Sequence, residues 1–225
     1  MDIIERASPN VNDRPEGACI NMVILHYTGM KTGKAALEQL CDPDAEVSAH
    51  YLIDEDGTTY QMVAESRRAW HAGLSHWSGA VDINNCSIGI EIVNPGHEFG
   101  YRAFPETQMT AVEELLAEIV ARHRVVPARV VGHSDIAPSR KQDPGELFDW
   151  KRLADKGLSI WPTVPRDPVI PADARHYLTK IGYDPEVPLS DVVTAFQRRF
   201  VPTGVSGMLD QKTLTAIAAV HTLNG

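Results

Sequence analysis

Residues 132–145 read Gly-His-Ser-Asp-Ile-Ala-Pro-Ser-Arg-Lys-Gln-Asp-Pro-Gly, directly after the apolar pair Val130-Val131. The pair reads as the end of a buried strand. Pro138, Pro144 and Gly145 forbid a regular helix across the whole of residues 132–145. The segment is therefore a shaped loop at a strand end, a place where active sites tend to be built. It carries His133 and Asp143, two metal-ligand types, and Lys141 two positions before the aspartate. In extended backbone Lys141 and Asp143 project to the same side.

Outward from this loop, strand and helix patterns alternate. Residues 20–25, Ile-Asn-Met-Val-Ile-Leu, form a β-rich run that ends at His26. A short helix is predicted over 32–41. Strands are predicted over 49–53 and 59–63, joined by Asp54-Glu55-Asp56-Gly57, whose Asp-Gly is a hairpin signal. Residues 87–93 alternate, with Ile88, Ile90 and Ile92 on one face and Ser87, Gly89, Glu91 and Val93 on the other. Met109, Val112, Leu115, Leu116, Ile119 and Val120 mark a helical stripe. Its start is predicted near Thr107 or Thr110, because Thr110-x-x-Glu113 matches a capping box. The interleaving predicts an α/β body, a sheet covered by helices.

Pro162, Pro165, Pro168 and Pro171 make residues 161–172 a semi-rigid linker candidate. Three helical patterns come after it, over 172–181, 190–200 and 210–220, with Ser190 and Asp210 as N-caps and Gly182, Gly204 and Gly207 in turns. The expected domains are 1–160 for the body and 173–225 for a small three-helix module. The module is read as an add-on outside the body's site, with packing against the body as the alternative. Its core is expected from Tyr177, Leu178, Val193, Phe196, Phe200, Leu214 and Ile217.

The chain has 225 residues, 43% of them hydrophobic and 23% charged, which is ordinary for a soluble globular protein. No stretch approaches the run of about 20 apolar residues that a membrane span needs. The net charge of −9 excludes the basic surface used for non-specific nucleic-acid binding. Cys19, Cys41 and Cys86 form no CxxC pair, so they are read as buried thiols in a reducing compartment, with neither a thiolate zinc site nor a disulfide framework.

A catalytic zinc usually takes three His, Asp, Glu or Cys ligands and leaves one position open. His26, His133 and Asp143 converge if the strands ending at His26 and Gly132 are neighbours. Taken singly, His26 is as well explained by a backbone hydrogen bond at a strand end, and Asp143 by an Asp-Pro turn. Glu91 shifts the balance, because a carboxylate inside an apolar strand is rare unless it is paired or functional.

Five ordered segments carry a resemblance: Ile24-Leu-His26-Tyr-Thr-Gly, Ser48-Ala-His50-Tyr-Leu-Ile, Trp70-His71-Ala-Gly, Ser87-Ile-Gly-Ile-Glu91, and the 132–145 loop. Over about residues 20–160 the chain resembles the zinc-dependent N-acetylmuramoyl-L-alanine amidases of the AmpD/AmiD type, related to peptidoglycan recognition proteins. The resemblance implies a mixed central sheet flanked by helices and hydrolysis of the amide between N-acetylmuramic acid and L-alanine of the stem peptide. It implies one Zn2+ on His26, His133 and Asp143, Glu91 as acid/base, and Lys141 stabilising the oxyanion. Trp70 and His71 are expected to line the muropeptide groove, and Arg140 to meet a stem-peptide carboxylate. Trp77 reads as core, and His50 as a core or supporting histidine rather than a ligand. Residues 193–214 resemble a peptidoglycan-binding three-helix module.

The partners implied are peptidoglycan or muropeptide fragments. A non-catalytic recognition protein on the same fold is the rival reading, opposed by retention of all five site residues. A zinc peptidase finds no HExxH support. Residues 1–6 carry no secretory pattern, which favours a cytoplasmic role in recycling anhydro-muropeptides. A wall-binding module would instead suit the periplasm or cell envelope.

Overall fold

The computed structural model describes residues 2–162 and 166–223. Residues 163–165, inside the expected linker, lie outside the described residues. Two short strands, β1 (Ile3–Glu5) and β2 (Val11–Asp13), precede β3 (Met22–Tyr27). Then come α1 (Gly33–Leu40), β4 (Tyr51–Ile53), β5 (Thr59–Gln61), β6 (Arg67–Ala69), β7 (His76–Trp77), β8 (Ala80–Val81) and β9 (Ser87–Ile92). The chain continues through α2 (Gly96–Phe99), α3 (Glu106–His123), β10 (Val130–Gly132), α4 (His133–Ile136) and α5 (Trp150–Asp155). It ends in α6 (Ala174–Ile181), α7 (Leu189–Phe200) and α8 (Gln211–His221).

Six strands form one mixed sheet in the order β1-β5-β4-β9-β3-β10. The β4–β5 hairpin is antiparallel, whereas β4, β9, β3 and β10 run parallel. Parallel strands must be covered on both faces, and the alternation in β9 and β3 shows how. Val23, Leu25, Ile88, Ile90 and Ile92 face α3 and α5, meeting Val112, Leu116, Ile119, Trp150 and Leu153. On the other face Met22, Ile24 and Val131 join Leu178, Val193, Phe196 and Ile217 from the last three helices and Tyr183 from the loop after α6. A third cluster packs Ala36 and Leu40 of α1 on Leu52 and Met62.

The C-terminal helices are therefore the second covering layer of the sheet. The expectation of a module standing apart as an add-on yields to its alternative, because Met22, Ile24, Val131 and Ile136 need an apolar cover and α6–α8 supply it. Val169, within the proline-rich stretch, belongs to the same cluster, and its N–H donates to Leu214 O at 3.3 Å.

Two helix starts lie within a residue of the sequence reading, but their caps differ. Helix α3 begins at Glu106 behind Pro105, and Thr110 Oγ1 donates back to Glu106 O at 2.9 Å. Glu113 is turned away from a capping role by ion pairs with Arg152 and Lys156. Helix α7 starts at Leu189 behind Pro188, which places Ser190 inside the first turn. Asp210 caps α8 as expected, accepting from Thr213 N–H at 2.7 Å. The cysteines are not buried: Cys19 is exposed, and Cys41 and Cys86 are half-buried.

Each large apolar side chain buried between helices and sheet contributes about 1.5–3 kcal/mol. A chain ending at Pro162 exposes the Met22, Ile24 and Val131 face. It is expected to aggregate, or to lose its cooperative thermal transition in circular dichroism. A soluble fragment melting at the full-length temperature would show that the helices cover nothing essential.

Candidate metal centre and its pocket

Strand register builds the site. In the parallel β3–β9 pair His26 stands opposite Glu91, and in the β3–β10 pair Leu25 stands opposite Gly132. His26 and Glu91 therefore project side by side from one face, and His133 begins the turn at the end of the next strand. The loop after α4 brings Asp143 back, with Ser134 N–H donating to Asp143 O at 2.9 Å. Gly132 makes this return feasible, since a Cβ there would lie 2.8 Å from Pro144 Cδ.

Three ligand atoms meet. His26 Nδ1 and His133 Nδ1 are 2.9 Å apart, and each is 3.0 Å from Asp143 Oδ2. The far nitrogens decide the tautomers. His133 Nε2–H donates to Ala72 O at 3.0 Å, so its Nδ1 carries a lone pair. The tautomer of His26 is set through a relay of neighbours. Ser87 Oγ–H donates to Ile83 O at 2.7 Å, so Ser87 Oγ accepts from His71 Nε2–H at 3.2 Å. His71 Nδ1 then accepts from His26 Nε2–H at 3.1 Å, which leaves His26 Nδ1 unprotonated. Two nitrogen lone pairs and a carboxylate oxygen thus point at one another, an arrangement that repels unless a cation sits among them. Donors about 2.0–2.1 Å from one tetrahedral zinc lie roughly 3.3 Å apart, close to this triangle. The three residues are the group of buried metal-ligand side chains found among the described residues. Two imidazoles and one carboxylate suit zinc.

Burial dominates the electrostatics. It pushes His26 down to about 4, helped by the neighbouring His133, so the ring is neutral at pH 7. His71 is held well below the usual histidine range, by burial first and then by His26, His50 and His133. Glu91 goes the other way: burial and then Asp143 raise its carboxyl well above the usual range, against the opposing pull of Lys141. Its Oε2 is buried without a hydrogen-bond partner.

These groups open into a pocket of about 610 Å³, lined among others by Glu91, Lys141, Gln142 and Trp70 and closed by Met30 and Phe99. All five expected metal and catalytic residues line it. Trp70 is half-buried on its wall, with its indole N–H donated to Asn12 Oδ1. His71 also lines the pocket, yet its ring nitrogens are engaged by His26 and Ser87, and a Cβ on Gly89 would meet its ring at 2.4 Å. Arg140 sits on the rim. Its Nη2 donates to Ala72 O at 3.0 Å and Leu74 O at 2.6 Å, so this part of the guanidinium pins the 72–74 loop. His50 takes the Gly89 N–H on its Nδ1 at 3.0 Å and serves as a core histidine. Trp77 is core, edge-on to Tyr183.

Sequence reading missed Ser87, Gly89 and Asn84. Asn84 Oδ1 accepts the N–H groups of His71 and Ala72 at 3.1 and 2.8 Å and so shapes the loop beside the site. The small residues Ser87 and Gly89, on the same strand face as Glu91, were the available signal that a ring packs there.

A mixed sheet with buried His26, His133 and Asp143 grouped at a strand end offers a place that could hold a metal ion, and similarity to known proteins gives the class. The chain belongs to the N-acetylmuramoyl-L-alanine amidase family, whose model matches residues 16–146. It is 36% identical over 222 residues to the amidase AmiD of Escherichia coli, covering 86% of this chain and 79% of that protein. It is 32% identical over 163 residues to the 1,6-anhydro-N-acetylmuramyl-L-alanine amidase AmpD of Haemophilus influenzae, covering 64% of this chain and 86% of the relative. Among solved structures, AmiD from E. coli in complex with anhydro-N-acetylmuramic acid-L-Ala-D-γ-Glu-L-Lys superposes with a TM-score of 0.81 over 94% of this chain and 93% of that one, at 33% identity. AmpDh3 from Pseudomonas aeruginosa, in complex with an anhydromuramic pentapeptide, superposes at 0.82 with 30% identity, over 94% and 95% of the chains. The protein is thus an amidase that hydrolyses the bond between N-acetylmuramic acid and L-alanine.

The pKa shifts set two signs. His26 falls from 6.5 unfolded to about 4 folded, so its contribution is complete above 6.5 and is lost as pH falls through 4. The loss for this one group is about 3 kcal/mol. Glu91 is raised, so its favourable term belongs to low pH, and at pH 7 it costs the metal-free protein stability. Glu91→Gln is therefore expected to raise the melting temperature of metal-free protein at pH 7 by several degrees, with the gain shrinking towards pH 4. Equal melting of both proteins at pH 7 would contradict a Glu91 carboxyl disfavoured by its surroundings.

Proposed function

We propose that the chain cleaves the lactyl–L-alanine amide of muropeptides at a single zinc held by His26, His133 and Asp143. The convergence of the three unprotonated ligand atoms, with Glu91 and Lys141 lining the same pocket, supports this reading. When bound, the zinc supplies Lewis acidity, drawing water ionisation towards about pH 7 and polarising a carbonyl.

The chain's own residues do the rest. Glu91 takes a proton from the attacking water as its oxygen bonds to the lactyl carbonyl carbon. It then gives that proton to the L-alanine nitrogen as the C–N bond breaks, and the second proton of the water passes from the new carboxyl group to the released amine, leaving a lactyl carboxylate and an ammonium group. Its raised carboxyl pKa favours this two-way role, because a carboxylate of ordinary acidity is a poor proton donor at neutral pH. Lys141 meets the negative charge that gathers on the carbonyl oxygen. His71 and Ser87 hold the His26 tautomer, so His71 serves the metal ligand more than the substrate. Trp70 offers an apolar wall to the sugar or peptide, and Arg140 shapes the rim where the stem peptide leaves. A non-catalytic recognition role leaves Glu91, half-buried with its Oε2 unpartnered, without a purpose.

The reading extends to the division of the chain into an amidase body over 1–160 and a helical unit over 173–225. It also includes muropeptide fragments as partners. The three unpaired thiols fit a reducing, cytoplasmic setting. Among the described residues no helix is long and apolar enough to cross a membrane.

Metal analysis and mass-identified products on anhydro-muropeptides test the proposal together. Wild type is expected to carry one zinc and to release free stem peptide. His133→Ala should lose metal and activity. Glu91→Gln should keep its zinc while turnover falls by about 10²–10⁴. Full zinc occupancy in His133→Ala, or near-normal turnover in Glu91→Gln, overturns the assignment. Lys141→Ala should lower kcat by about 3 kcal/mol of barrier, since the charge it meets exists only in the transition state. A raised KM at unchanged kcat would make Lys141 a substrate-binding residue.

A further inference from the structure

The helical layer reaches the metal-ligand turn through one buried carboxylate. Asp135 lies two residues after His133, and its Oδ2 accepts the Gly132 N–H at 2.8 Å, closing the turn on which His133 sits. The same oxygen takes Arg199 Nη1 at 2.9 Å, and Oδ1 takes the Tyr183 hydroxyl at 2.6 Å. Both donors come from residues 173–225. Arg199 Nη2 also donates to Val130 O at 2.9 Å and to Ser159 Oγ at 3.2 Å, so one guanidinium holds both the strand before His133 and the turn after it.

The Arg199 and Asp135 side chains are 2% and 1% exposed. The guanidinium lies 4.4 Å over Trp150 and 4.7 Å over Phe200. Tyr183 is wedged between Trp77 and Phe196.

Stability alone does not explain this ion pair between two layers. Desolvating each charge costs several kcal/mol, and an apolar pair of similar volume would often be as stable. Its value lies in direction, because fork-shaped bonds to a carboxylate hold one geometry. What they direct is the ligand turn. Asp135 ties Gly132, Gly132 abuts Pro144, and Ser134 N–H holds Asp143 O, so a shift of Asp135 moves both His133 and Asp143.

We propose that the C-terminal helical layer is part of the metal site: Arg199 and Tyr183 are positioning residues that, through Asp135, hold the turn carrying His133. The proposal rests on the zinc reading above. It gives residues 173–225 a role in catalysis that binding to wall polymer alone would not.

The test uses the full chain and zinc itself. Tyr183→Phe removes one hydroxyl, and Arg199→Lys keeps the charge but cannot span Asp135 and Val130 together. Ile217→Val removes a methylene from the same core and no hydrogen bond. The zinc dissociation constant is measured by chelator competition at a temperature where circular dichroism shows every variant folded, alongside kcat and KM at saturating zinc. Tyr183→Phe and Arg199→Lys are expected to weaken zinc binding about tenfold and to lower kcat more than they raise KM. Ile217→Val should melt earlier with zinc affinity unchanged. Wild-type affinity in folded Tyr183→Phe, or an equal loss in Ile217→Val, overturns the positioning role. Wild type that takes up no stoichiometric zinc sinks the metal reading first, and this proposal with it.

Discussion

The parallel register of β3 with β9 and β10 is the constraint on which the chemistry depends. Side chains at paired positions of neighbouring parallel strands leave the same face, so pairing His26 with Glu91 places a metal-ligand type beside an acid/base type before any loop is considered. Pairing Leu25 with Gly132 then starts the His133 turn one step further along the same edge. A slip of one residue in β9 would turn Glu91 towards α3 and bring an isoleucine to the site. The three isoleucines of β9, all fully buried under α3, hold that register through the hydrophobic effect. Core packing on one face thus fixes the catalytic geometry on the other.

That second face has two parts. Near the ends of the strands it is polar, with His26, Glu91 and His71 in a tight group. Towards their beginnings it is apolar, with Met22 and Ile24 under α7 and α8. The change occurs within one strand, in the step from Ile24 to His26. The helices stop where the pocket begins and send Arg199 and Tyr183 to its underside. The site is therefore held from beneath by buried charge and left open above to substrate. Glu91 bears a cost in stability for this arrangement, because its Oε2 is enclosed without a hydrogen-bond partner.

The chain from Ile83 O through Ser87 and His71 to His26 shows how a weak set of neutral hydrogen bonds can set the tautomer of a candidate metal ligand. None of these bonds is strong, at about 1 kcal/mol each. Together they specify which nitrogen of His26 carries its proton. Supporting groups of this sort orient ligands and raise their basicity. His50 and Asn84 extend the support to the backbone around Gly89 and Ala72.

The α/β class and the alternation of β9 were legible along the chain, because each is a local pattern, a period of two or an apolar run; the five candidate site residues were read there too, and the structure brings them to one pocket. The strand edges, the cap of α3 and the partners of His71 were not legible. Pro105 and the distant Arg152 overrode the local Thr110-x-x-Glu113 signal, and His71 found its partners across 45 and 16 residues of sequence. Above all, the composition of residues 161–225 suggested a separate module, whereas tertiary packing makes it the cover of the sheet. Amphipathic helices announce that they have an apolar face, but not what that face meets. Five ordered motifs in the sequence were by themselves enough to place this protein in its amidase family. Only the packing of α6–α8 on the sheet, driven by burial of the Met22 and Ile24 face, decided what holds that chemistry in place.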